Sequence, residues 1–252
     1  MRIAVVTGAS SGMGREFVKQ LDAKQKFDEI WVIARRRDKL ESLSKEVSAP
    51  VRPLCLDLTE RESYDQYAAL LEQEKPDIAV LVNGSGFGKF GAFTDISLED
   101  QLSMIDLNDK ALVAVTYLSL PYMREGGQIY QIDSLSSFQP VPYINVYGAT
   151  KAFVLSFSRA LNVELKKRRI RVMAVCPGWV KTDFFDRAVV DDTIVYYNKF
   201  YEADRVVACA LRDMEKGKDV SVCGFTVRMQ VFLTKVLPHK RVMKIWCRQQ
   251  KK

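Results

Sequence analysis

The sequence predicts an α/β protein built on one open parallel sheet with helices on both faces. Short runs rich in Val and Ile are nearly continuous in hydrophobicity, as expected of parallel strands that are covered on both sides. Longer amphipathic stretches alternate with these runs along the chain, and this spacing favours right-handed βαβ units. The composition, 48% hydrophobic and 27% charged over 252 residues, is that of an ordinary globular protein.

The predicted elements follow one another without a Pro/Gly/Ser-rich linker, so we expect one main domain. Strands are predicted at 2–7, 29–34, 51–57, 78–83, 127–133 and 170–176, with a weaker candidate at 219–223. The amphipathic stretches between them lie at 12–26, 37–47, 60–73, 97–124, 145–168 and 203–215. In the first of these stretches, Met13, Phe17 and Leu21 recur at i, i+4 and i+8 and form one apolar stripe.

The cysteines and the single histidine argue against several function classes. One histidine, His239, disfavours a histidine-based metal site or catalytic triad, so no metal is expected. The start of the chain does not resemble a signal peptide, and the longest apolar stretch, 111–123, is too short for a membrane span. We therefore expect a cytoplasmic protein, soluble or at most bound to a membrane surface. The scattered Cys55, Cys176, Cys209, Cys223 and Cys247 contain no CxxC pair and favour reduced thiols.

The segment TGASSGMG, residues 7–14, ends the first predicted strand and begins the first helix. Glycines allow a tight turn and close approach of a ligand, and the free amides of a helix N-terminus favour a pyrophosphate. An ordinary β–α turn is the alternative interpretation. A dinucleotide site would add a ribose-reading residue at the end of the second strand, about 20 residues beyond the last glycine.

Three arginines, Arg35, Arg36 and Arg37, follow the second strand at this position, and no carboxylate precedes Asp38. An acidic residue here favours a free 2′-hydroxyl, whereas planar guanidinium groups suit phosphate oxygens. We predict NADP(H) rather than NAD(H), with Arg35 as the first candidate for the 2′-phosphate and Arg36 as the second. A solvated helix start is the alternative, although cations there oppose the helix dipole.

Tyr147 and Lys151 lie four residues apart and therefore share one face of a predicted helix. Reduction of a carbonyl leaves an alkoxide that needs a proton, and a tyrosine with a pKa near 10 supplies it efficiently only if its phenolate is stabilised. A nearby ammonium provides that stabilisation, and a serine hydroxyl at the substrate oxygen adds to it. Taken alone, the pair is equally explained by a packed aromatic residue and a surface cation.

In their order and spacing, these motifs resemble the short-chain dehydrogenase/reductase family. TGxxxGxG follows the first strand and Asn-Gly follows the fourth; Ser, Tyr-x3-Lys and a Pro-Gly turn then complete a series that runs from Thr7 to Thr182. The resemblance implies a Rossmann-type doubly wound parallel sheet of about seven strands with helices on both faces. It also implies an enzyme that exchanges a hydride between NADP(H) and a carbonyl or alcohol.

The resemblance assigns roles by position. Tyr147 would be the general acid/base, and Lys151 would lower its pKa and hold the nicotinamide ribose. Ser134 would bind the substrate oxygen, with Ser136 and Ser137 as competing candidates. The implied cofactor-binding residues are Gly8, Ser10, Ser11, Gly12, Met13, Gly14, Arg35, Arg36, Asp57, Leu58, Asn83, Tyr147, Lys151, Pro177, Gly178, Val180 and Thr182.

For some of these positions a purely structural role is an alternative to the functional one, and others depart from the family pattern. Asn108 matches the helix asparagine of the family's proton relay, but an interior polar residue needs a partner in any case. Asp57 resembles the adenine-contacting aspartate, and a loop-capping role is the alternative. Residues 83–86 read Asn-Gly-Ser-Gly where the family commonly has Asn-Asn-Ala-Gly, so we expect a slightly looser turn and retained activity. The aromatic residues Trp179, Phe184 and Phe185 are candidates for an apolar substrate pocket or for the core.

The C-terminal segment 225–252 differs from the rest of the chain in charge. The net charge is +7, and from residue 220 onward there are eight Lys or Arg residues and no Asp or Glu, which leaves −1 for the preceding part. Phe225, Met229, Phe232, Val236 and Leu237 alternate with these cations, a pattern that also suits an anionic membrane surface. We favour a helix packed over the pocket mouth or at a subunit interface. Nucleic acid is not an expected partner, because it needs a broader basic surface.

The leading hypothesis from the sequence is an NADP(H)-dependent oxidoreductase acting on a hydrophobic carbonyl or alcohol. Its catalytic domain would span 1–224, with a substrate loop at 183–215, and the family resemblance implies a homodimer or homotetramer. The alternatives are a non-catalytic NADP(H) sensor and a peripheral membrane-associated interaction protein on the same fold.

Overall fold

The computed structural model describes residues 1–189 and 191–252, and a seven-stranded parallel sheet forms its centre. The strands are β1 (Arg2–Thr7), β2 (Glu29–Ala34), β3 (Val51–Cys55), β4 (Asp77–Asn83), β5 (Gln128–Ile132), β6 (Arg171–Val175), β7 (Trp179–Val180), β8 (Phe200–Tyr201) and β9 (Val220–Ser221). The order in the main sheet is β3-β2-β1-β4-β5-β6-β9. The strand order reverses beside β1, and α/β proteins bind ligands at such a point, outside the carboxyl ends of the strands.

Most helices follow the predicted amphipathic stretches, whereas Phe184–Ala188 forms a short helix inside the predicted substrate loop 183–215. The helices are α1 (Gly12–Lys24), α2 (Arg37–Glu41), α3 (Arg61–Glu74), α4 (Leu98–Ile105), α5 (Ala111–Ser119), α6 (Asn145–Glu164), α7 (Phe184–Ala188), α8 (Ala203–Glu215), α9 (Phe225–Val236) and α10 (His239–Gln249). The stretch predicted at 97–124 is interrupted, because a π-helical turn at Asp106–Lys110 separates α4 from α5. Such π-helical turns are rare in proteins, and those that occur are often found at functional sites.

Side-chain alternation along β1 explains why the strands have nearly continuous hydrophobicity. Ile3 and Val5 pack on one face of the sheet with residues of α3, α5 and α6. Ala4 and Val6 pack on the other face with residues of α1 and α8. Because both faces are covered, both sets of side chains must be apolar. The predicted doubly wound sheet with helices on both faces is confirmed.

A third, smaller apolar cluster lies beyond the main sheet. It contains Phe90, Val141 and Ile144 from the first part of the chain together with Ala188 of α7 and Ile194. The short strands β7 and β8 pair in parallel as a separate two-stranded sheet.

The C-terminal segment packs on this region. In α10, Trp246 Nε1 donates a hydrogen bond to the Pro142 carbonyl at 3.0 Å. The buried Gln250 Oε1 accepts from the backbone amides of Val195 and Tyr196 at 2.9 and 3.0 Å. These contacts tie 239–250 to residues far away in sequence.

Within the described ranges 1–189 and 191–252, none of the helices combines the length and the apolar character needed to cross a membrane.

Candidate active site

A cleft of about 700 Å³ runs along the carboxyl ends of the strands, from the glycine loop after β1 to the C-terminal helices. It brings together most of the residues that the sequence singled out. These are Gly8, Ser10, Ser11, Gly12, Met13, Gly14, Arg35, Arg36, Asp57, Leu58, Ser134, Tyr147, Lys151, Pro177, Gly178, Val180 and Thr182. The predicted residues Asn83 and Asn108 lie behind its walls.

Tyr147 and Lys151 project from the first turns of α6 into the middle of this cleft. The Lys151 ammonium is almost fully buried, lies 5.7 Å from the centroid of the Tyr147 ring, and donates to the Ile132 carbonyl at 2.9 Å. Ser134 lies two residues after the end of β5, and its Oγ accepts from the Ser136 amide at 3.2 Å. A hydroxyl that accepts from the backbone keeps its own proton available for a partner in the cleft.

The three candidate serines differ in what they contact. Ser134 lines the cleft, and its hydroxyl lies close enough to the Tyr147 phenol to lower the pKa of that group. Ser137 Oγ donates to the Ser134 carbonyl at 2.6 Å, so its hydroxyl is used within the loop. Ser136 is nearly buried, and its Oγ has no partner in the described part of the chain. The contacts therefore favour Ser134 over its two neighbours.

Burial raises the pKa of Tyr147, the Ser134 hydroxyl lowers it, and the charge of Asp133 raises it. The predicted lowering by Lys151 is not among these influences and stays a prediction. The ammonium is instead directed at the Ile132 carbonyl.

Two carboxylates, Asp133 and Asp109, surround Lys151 and were not identified from the sequence. Burial raises the pKa of each carboxyl to about 7, and the Lys151 charge opposes this rise. Burial also lowers the pKa of Lys151, while Asp133 and Asp109 counteract it. The Cys176 thiol donates to Asp133 Oδ2 at 3.2 Å. Asp133 directly precedes Ser134 at the end of a predicted strand, and this placement was the available sequence signal.

Asn108 lies in the π-helical turn and is buried behind the cleft. Its Oδ1 accepts from the Phe87 amide at 3.0 Å, and its Nδ2 donates to the Phe87 carbonyl and to Thr150 Oγ1, both at 3.0 Å. A Cβ added to Gly86 would lie 2.8 Å from Asn108 Oδ1, so glycine permits this close approach. The side chain thus fastens the turn after β4 to α6, which is the structural role considered as the alternative.

The Asn83 side chain supports the fold, and its predicted contact with the cofactor stays a prediction. At the end of β4 its side chain faces the helix layer, where Nδ2 donates to Thr116 Oγ1 at 2.9 Å and to Gln131 Oε1 at 2.8 Å. The following residues, Gly84, Ser85 and Gly86, line the cleft instead.

The unusual turn after Asn83 is fastened to β1. The amides of Gly84 and Ser85 donate to Thr7 Oγ1 at 3.0 and 3.1 Å. A Cβ on Gly84 would lie 2.7 Å from the Thr7 carbonyl oxygen, so this backbone suits glycine better than the asparagine common in the family. The looser turn stays a prediction, and these two hydrogen bonds oppose it.

The glycine loop presents an uncapped helix N-terminus. Ser11, the N-cap of α1, makes no side-chain capping bond, and the first turn contains no acidic residue. The amides of this turn are therefore available to an anion. Arg36 Nη2 donates to Ser10 Oγ and Ser11 Oγ, both at 3.0 Å, and Arg36 Nη1 lies 3.5 Å from Asp183 Oδ2.

Arg35 and Asp57 form an ion pair at the rim of the same end of the cleft, with 3.4 Å between Arg35 Nη1 and Asp57 Oδ2. Asp57 Oδ1 accepts from the Thr59 amide at 3.1 Å and from Thr59 Oγ1 at 2.8 Å. Burial acts to raise the pKa of Asp57, but the Thr59 bonds and the Arg35 charge outweigh it, so that this pKa is lowered. Asp57 therefore caps the loop after β3, and its contact with adenine stays a prediction.

The comparisons with known proteins agree with this arrangement. The family model for short chain dehydrogenases matches residues 2–192. The chain belongs to this family. It is similar to an uncharacterized oxidoreductase of Staphylococcus aureus (strain N315), with 30% identity over 230 residues covering 90% of this chain and 96% of the relative.

Two solved structures are similar to most of the chain. A short-chain dehydrogenase from Sphingobium yanoikuyae in complex with NADPH is 27% identical, with a TM-score of 0.79 and coverage of 97% of this chain and 96% of that one. A serine dehydrogenase in its closed form with NADP+ is 29% identical, with a TM-score of 0.75 and coverage of 88% and 94%. This chain is accordingly an NAD(P)-dependent dehydrogenase or reductase.

The other end of the cleft in this dehydrogenase is apolar. The aromatic residues after β6 were predicted to line a pocket or to join the core, and they do both: Trp179, Phe184 and Phe185 line the cleft and pack against the third cluster. The Phe184 ring lies 5.5 Å from the Tyr147 ring, centroid to centroid. Leu233 and Ile245 of the C-terminal helices complete this wall.

Arg187 of α7 was also missed by the sequence analysis of this dehydrogenase. Its guanidinium carbon lies 3.4 Å from the centroid of the Phe87 ring, and the residue lines the cleft. Burial and the charge of Arg35 lower the pKa of Arg187. No local motif marks this position, because the contact joins residues that are 100 positions apart.

Proposed function

We propose that this dehydrogenase exchanges a hydride between NADP(H) and the carbonyl or alcohol of a hydrophobic small molecule. The observation that carries the proposal is the convergence of Ser134, Tyr147 and Lys151 in the middle of one cleft. An anion-ready helix N-terminus lies at one end of that cleft and an apolar wall at the other.

The residues present fit a dinucleotide. The uncapped N-terminus of α1 and the hydroxyls of Ser10 and Ser11 suit a pyrophosphate. Lys151 would hold the nicotinamide ribose, and Pro177, Gly178, Val180 and Thr182, which line the same cleft, would contact the nicotinamide end. Two similar structures, the Sphingobium dehydrogenase and the serine dehydrogenase, contain NADPH or NADP+.

Arg35 and Arg36 support a 2′-phosphate over a free ribose hydroxyl. Both line the cleft at the end of β2, and Arg36 already donates to the hydroxyls of the glycine loop. Arg35 offsets the negative charge of Asp57, which would otherwise repel a phosphate. Arg35 is therefore the principal candidate for binding the 2′-phosphate. Its removal would lose the attraction between the guanidinium and the phosphate and would leave Asp57 to repel that phosphate.

When bound, the dinucleotide supplies or accepts the hydride. In the reductive direction, the Tyr147 hydroxyl donates its proton to the oxygen on which negative charge develops. The Ser134 hydroxyl donates a hydrogen bond to the same oxygen, so that a donor is already in position where the negative charge develops. Lys151 brings a positive charge near the phenol, and this charge favours the tyrosinate that remains.

Asn108 is proposed to support the supply of protons to the Tyr147 hydroxyl. It fixes the turn at Phe87 and the Thr150 hydroxyl, and Thr150 Oγ1 in turn donates to the Tyr147 carbonyl at 2.7 Å. The hydrogen-bonded chain therefore links the π-helical turn to the helix that carries Tyr147 and Lys151.

The substrate class follows from the apolar end of the cleft. Pockets of this kind select ligands by shape and apolar contact, with a few polar groups that fix orientation. The polar groups here are Ser134 and Tyr147. The apolar wall is formed by Val141, Ile144, Trp179, Phe184, Phe185, Leu233, Leu237 and Ile245.

We also propose a homodimer or homotetramer formed through the faces of α4, α5 and α6. These helices expose large apolar side chains: Leu98, Leu102, Ile105, Tyr117, Phe153 and Val163. Contiguous exposed apolar patches commonly mark protein interfaces.

The proposed function is tested by following NADPH absorbance against a panel of aldehydes and ketones of increasing chain length. Ser134→Ala should lower turnover about 10²- to 10³-fold, in the range for loss of an oxyanion donor. Ser137→Ala is the matched control and should retain turnover within a few-fold, since that hydroxyl serves the loop. NADPH binding without turnover across the panel would contradict the proposal and favour a sensor.

A further inference from the structure

The helix α9 has two apolar faces, and only one of them is buried. Val227, Val231 and Thr234 face the body of the protein and are nearly inaccessible. The opposite side carries Phe225, Phe232 and Val236, which are 77%, 57% and 63% exposed. With Met229, their spacings of four, three and four residues place them on one stripe of the helix. The stripe is therefore an unpartnered apolar surface.

Cations flank this stripe and continue through α10. All eight Lys or Arg residues from 220 onward are exposed: Arg228, Lys235, Lys240, Arg241, Lys244, Arg248, Lys251 and Lys252. In the described part of the chain none of them forms an ion pair, whereas many other cations do. Because this segment contains no Asp or Glu, its side chains include no negative charge that could neutralise these cations.

The positive charge of this segment indicates what kind of partner binds the apolar stripe. Joining two copies through α9 would bring the cations that flank its stripe, Arg228 and Lys235, toward those of the second copy, and like charges across an interface disfavour association. The exposed face of α4–α6 carries both signs, with Asp106 bonded to Lys110, and so lacks this penalty. An apolar stripe bordered by cations complements an anionic lipid surface, where the side chains enter the acyl region and the cations meet the headgroups.

We propose that the Phe225–Met229–Phe232–Val236 stripe and the cations of 225–252 bind the surface of an anionic lipid bilayer. The stripe continues into the mouth of the cleft, because Leu233 and Ile245 are both half-exposed and both line the cleft. Docking on this face turns the apolar end of the cleft toward the bilayer. If the proposed function holds, the substrate is a lipophilic carbonyl or alcohol that partitions into membranes and enters from the lipid side.

The binding part is tested with the full chain and vesicles of phosphatidylcholine, with or without 30% phosphatidylglycerol. We expect binding to the anionic vesicles that weakens as salt is raised. Each cation near the surface contributes roughly a fivefold change in partitioning. Because Lys240→Glu/Lys244→Glu inverts two such cations, it should reduce vesicle binding at least tenfold.

Two further variants make this test specific. Lys166→Glu/Lys167→Glu makes the same change in net charge at exposed positions after α6 and should leave vesicle binding within twofold. Phe225→Ser/Phe232→Ser should reduce binding at least tenfold while NADPH affinity is retained, which shows that the variant is folded. Equal binding by all four proteins, or none by the wild type, overturns the proposal. A lower oligomer mass for Phe225→Ser/Phe232→Ser, without vesicle binding by the wild type, shows a subunit interface and also overturns it.

The substrate part rests on the proposed function and has its own readout. A long-chain aldehyde held in anionic vesicles and a short water-soluble aldehyde are reduced side by side. Lys240→Glu/Lys244→Glu should lower the rate at least fivefold for the vesicle-held aldehyde alone. Equal rates for that variant and the wild type overturn lipid-side entry, whereas an absence of turnover with either aldehyde in any protein contradicts the proposed function and leaves the vesicle-binding result intact.

Discussion

The two ends of the cleft are built in different ways. The proposed dinucleotide end is formed mainly by the glycine loop and three neighbouring elements, β1, α1 and β2, which are consecutive in the chain. The apolar end combines α6, α7, α9 and α10 with the loop near Pro142, so its walls come from segments more than 100 residues apart. The first end is determined by local sequence, and the second by tertiary packing. Substitutions at one end should therefore leave the other end nearly unchanged.

The largest expected effect of a substitution is on protein stability and concerns Asp133, which lies between the two ends of the cleft. Its carboxyl pKa is raised from 3.8 to about 7 by burial. The folded state then holds a proton between about pH 4 and 7 that the unfolded state releases, so stability falls as pH rises through this window. Asp133→Asn removes the titration and should be more stable than the wild type above pH 7, by on the order of 2–4 kcal/mol.

Urea unfolding at pH 4.5, 6 and 8 measures this difference in the free energy of unfolding. The gain of Asp133→Asn over the wild type should grow with pH. Parallel profiles for the two proteins would show that the carboxyl is ionised throughout the window in the folded state, with Lys151 stabilising it.

The second expected effect is on kcat and concerns Gly86, in the turn after β4 between the reacting groups and the dinucleotide end. Gly86→Ala places a Cβ 2.8 Å from Asn108 Oδ1, which must move and release Phe87 and Thr150. We expect kcat to fall at least tenfold, since small displacements of positioning groups cost large factors. Gly148→Ala is the matched control, because its Cβ meets only Val141 at 3.8 Å. Equal kcat values for the two variants would contradict a positioning role for Asn108.

The third effect is confined to the dinucleotide end. Arg35→Ala should weaken NADPH binding about tenfold and leave NADH binding nearly unchanged, because NADH lacks the 2′-phosphate that Arg35 would bind and that an unpaired Asp57 would repel. Arg37→Ala is the control, since Arg37 does not line the cleft and lies 3.7 Å from Glu41 within α2. Isothermal titration of both dinucleotides checks this, and equal losses for NADH and NADPH would refute the assignment.

The smallest effect is expected at the apolar end. Trp246→Phe keeps an aromatic wall but loses the hydrogen bond to the Pro142 carbonyl, a contribution of about 1 kcal/mol. The KM for a hydrophobic aldehyde should rise a few-fold, while the Kd for NADPH stays the same. A matching change in NADPH affinity would show that the two ends are coupled.

Much of the fold and of the dinucleotide end could be predicted from the sequence. Val and Ile runs define β1 to β6 because both sheet faces are covered, and TGASSGMG followed by Arg35 lies within one βαβ unit. The position of Asn83 was harder to predict. Whether a strand-end side chain faces the cleft or the helix layer depends on register, and here it bonds Thr116 and Gln131.

Trp179, Phe184 and Phe185 could be named from the sequence as candidates for the apolar end. The rest of its wall and the charges around Lys151 could not be predicted, because they depend on contacts between distant segments. Asp133 becomes important only because α6 brings Lys151 against the end of β5. The tail was expected at a pocket mouth or an interface, but its anchor points, Pro142 and the amides of Val195 and Tyr196, carry no motif.

The claim that the cofactor-binding end of the cleft and the reacting groups can be altered independently is tested most directly by comparing Tyr147→Phe with Arg35→Ala. For both proteins, NADPH affinity and the turnover of one saturating aldehyde are measured. Tyr147→Phe should bind NADPH within twofold of the wild type and lose turnover at least 10²-fold, as loss of the general acid requires. Arg35→Ala should lose NADPH affinity and keep saturated turnover within a few-fold. Wild-type turnover by Tyr147→Phe would contradict the account.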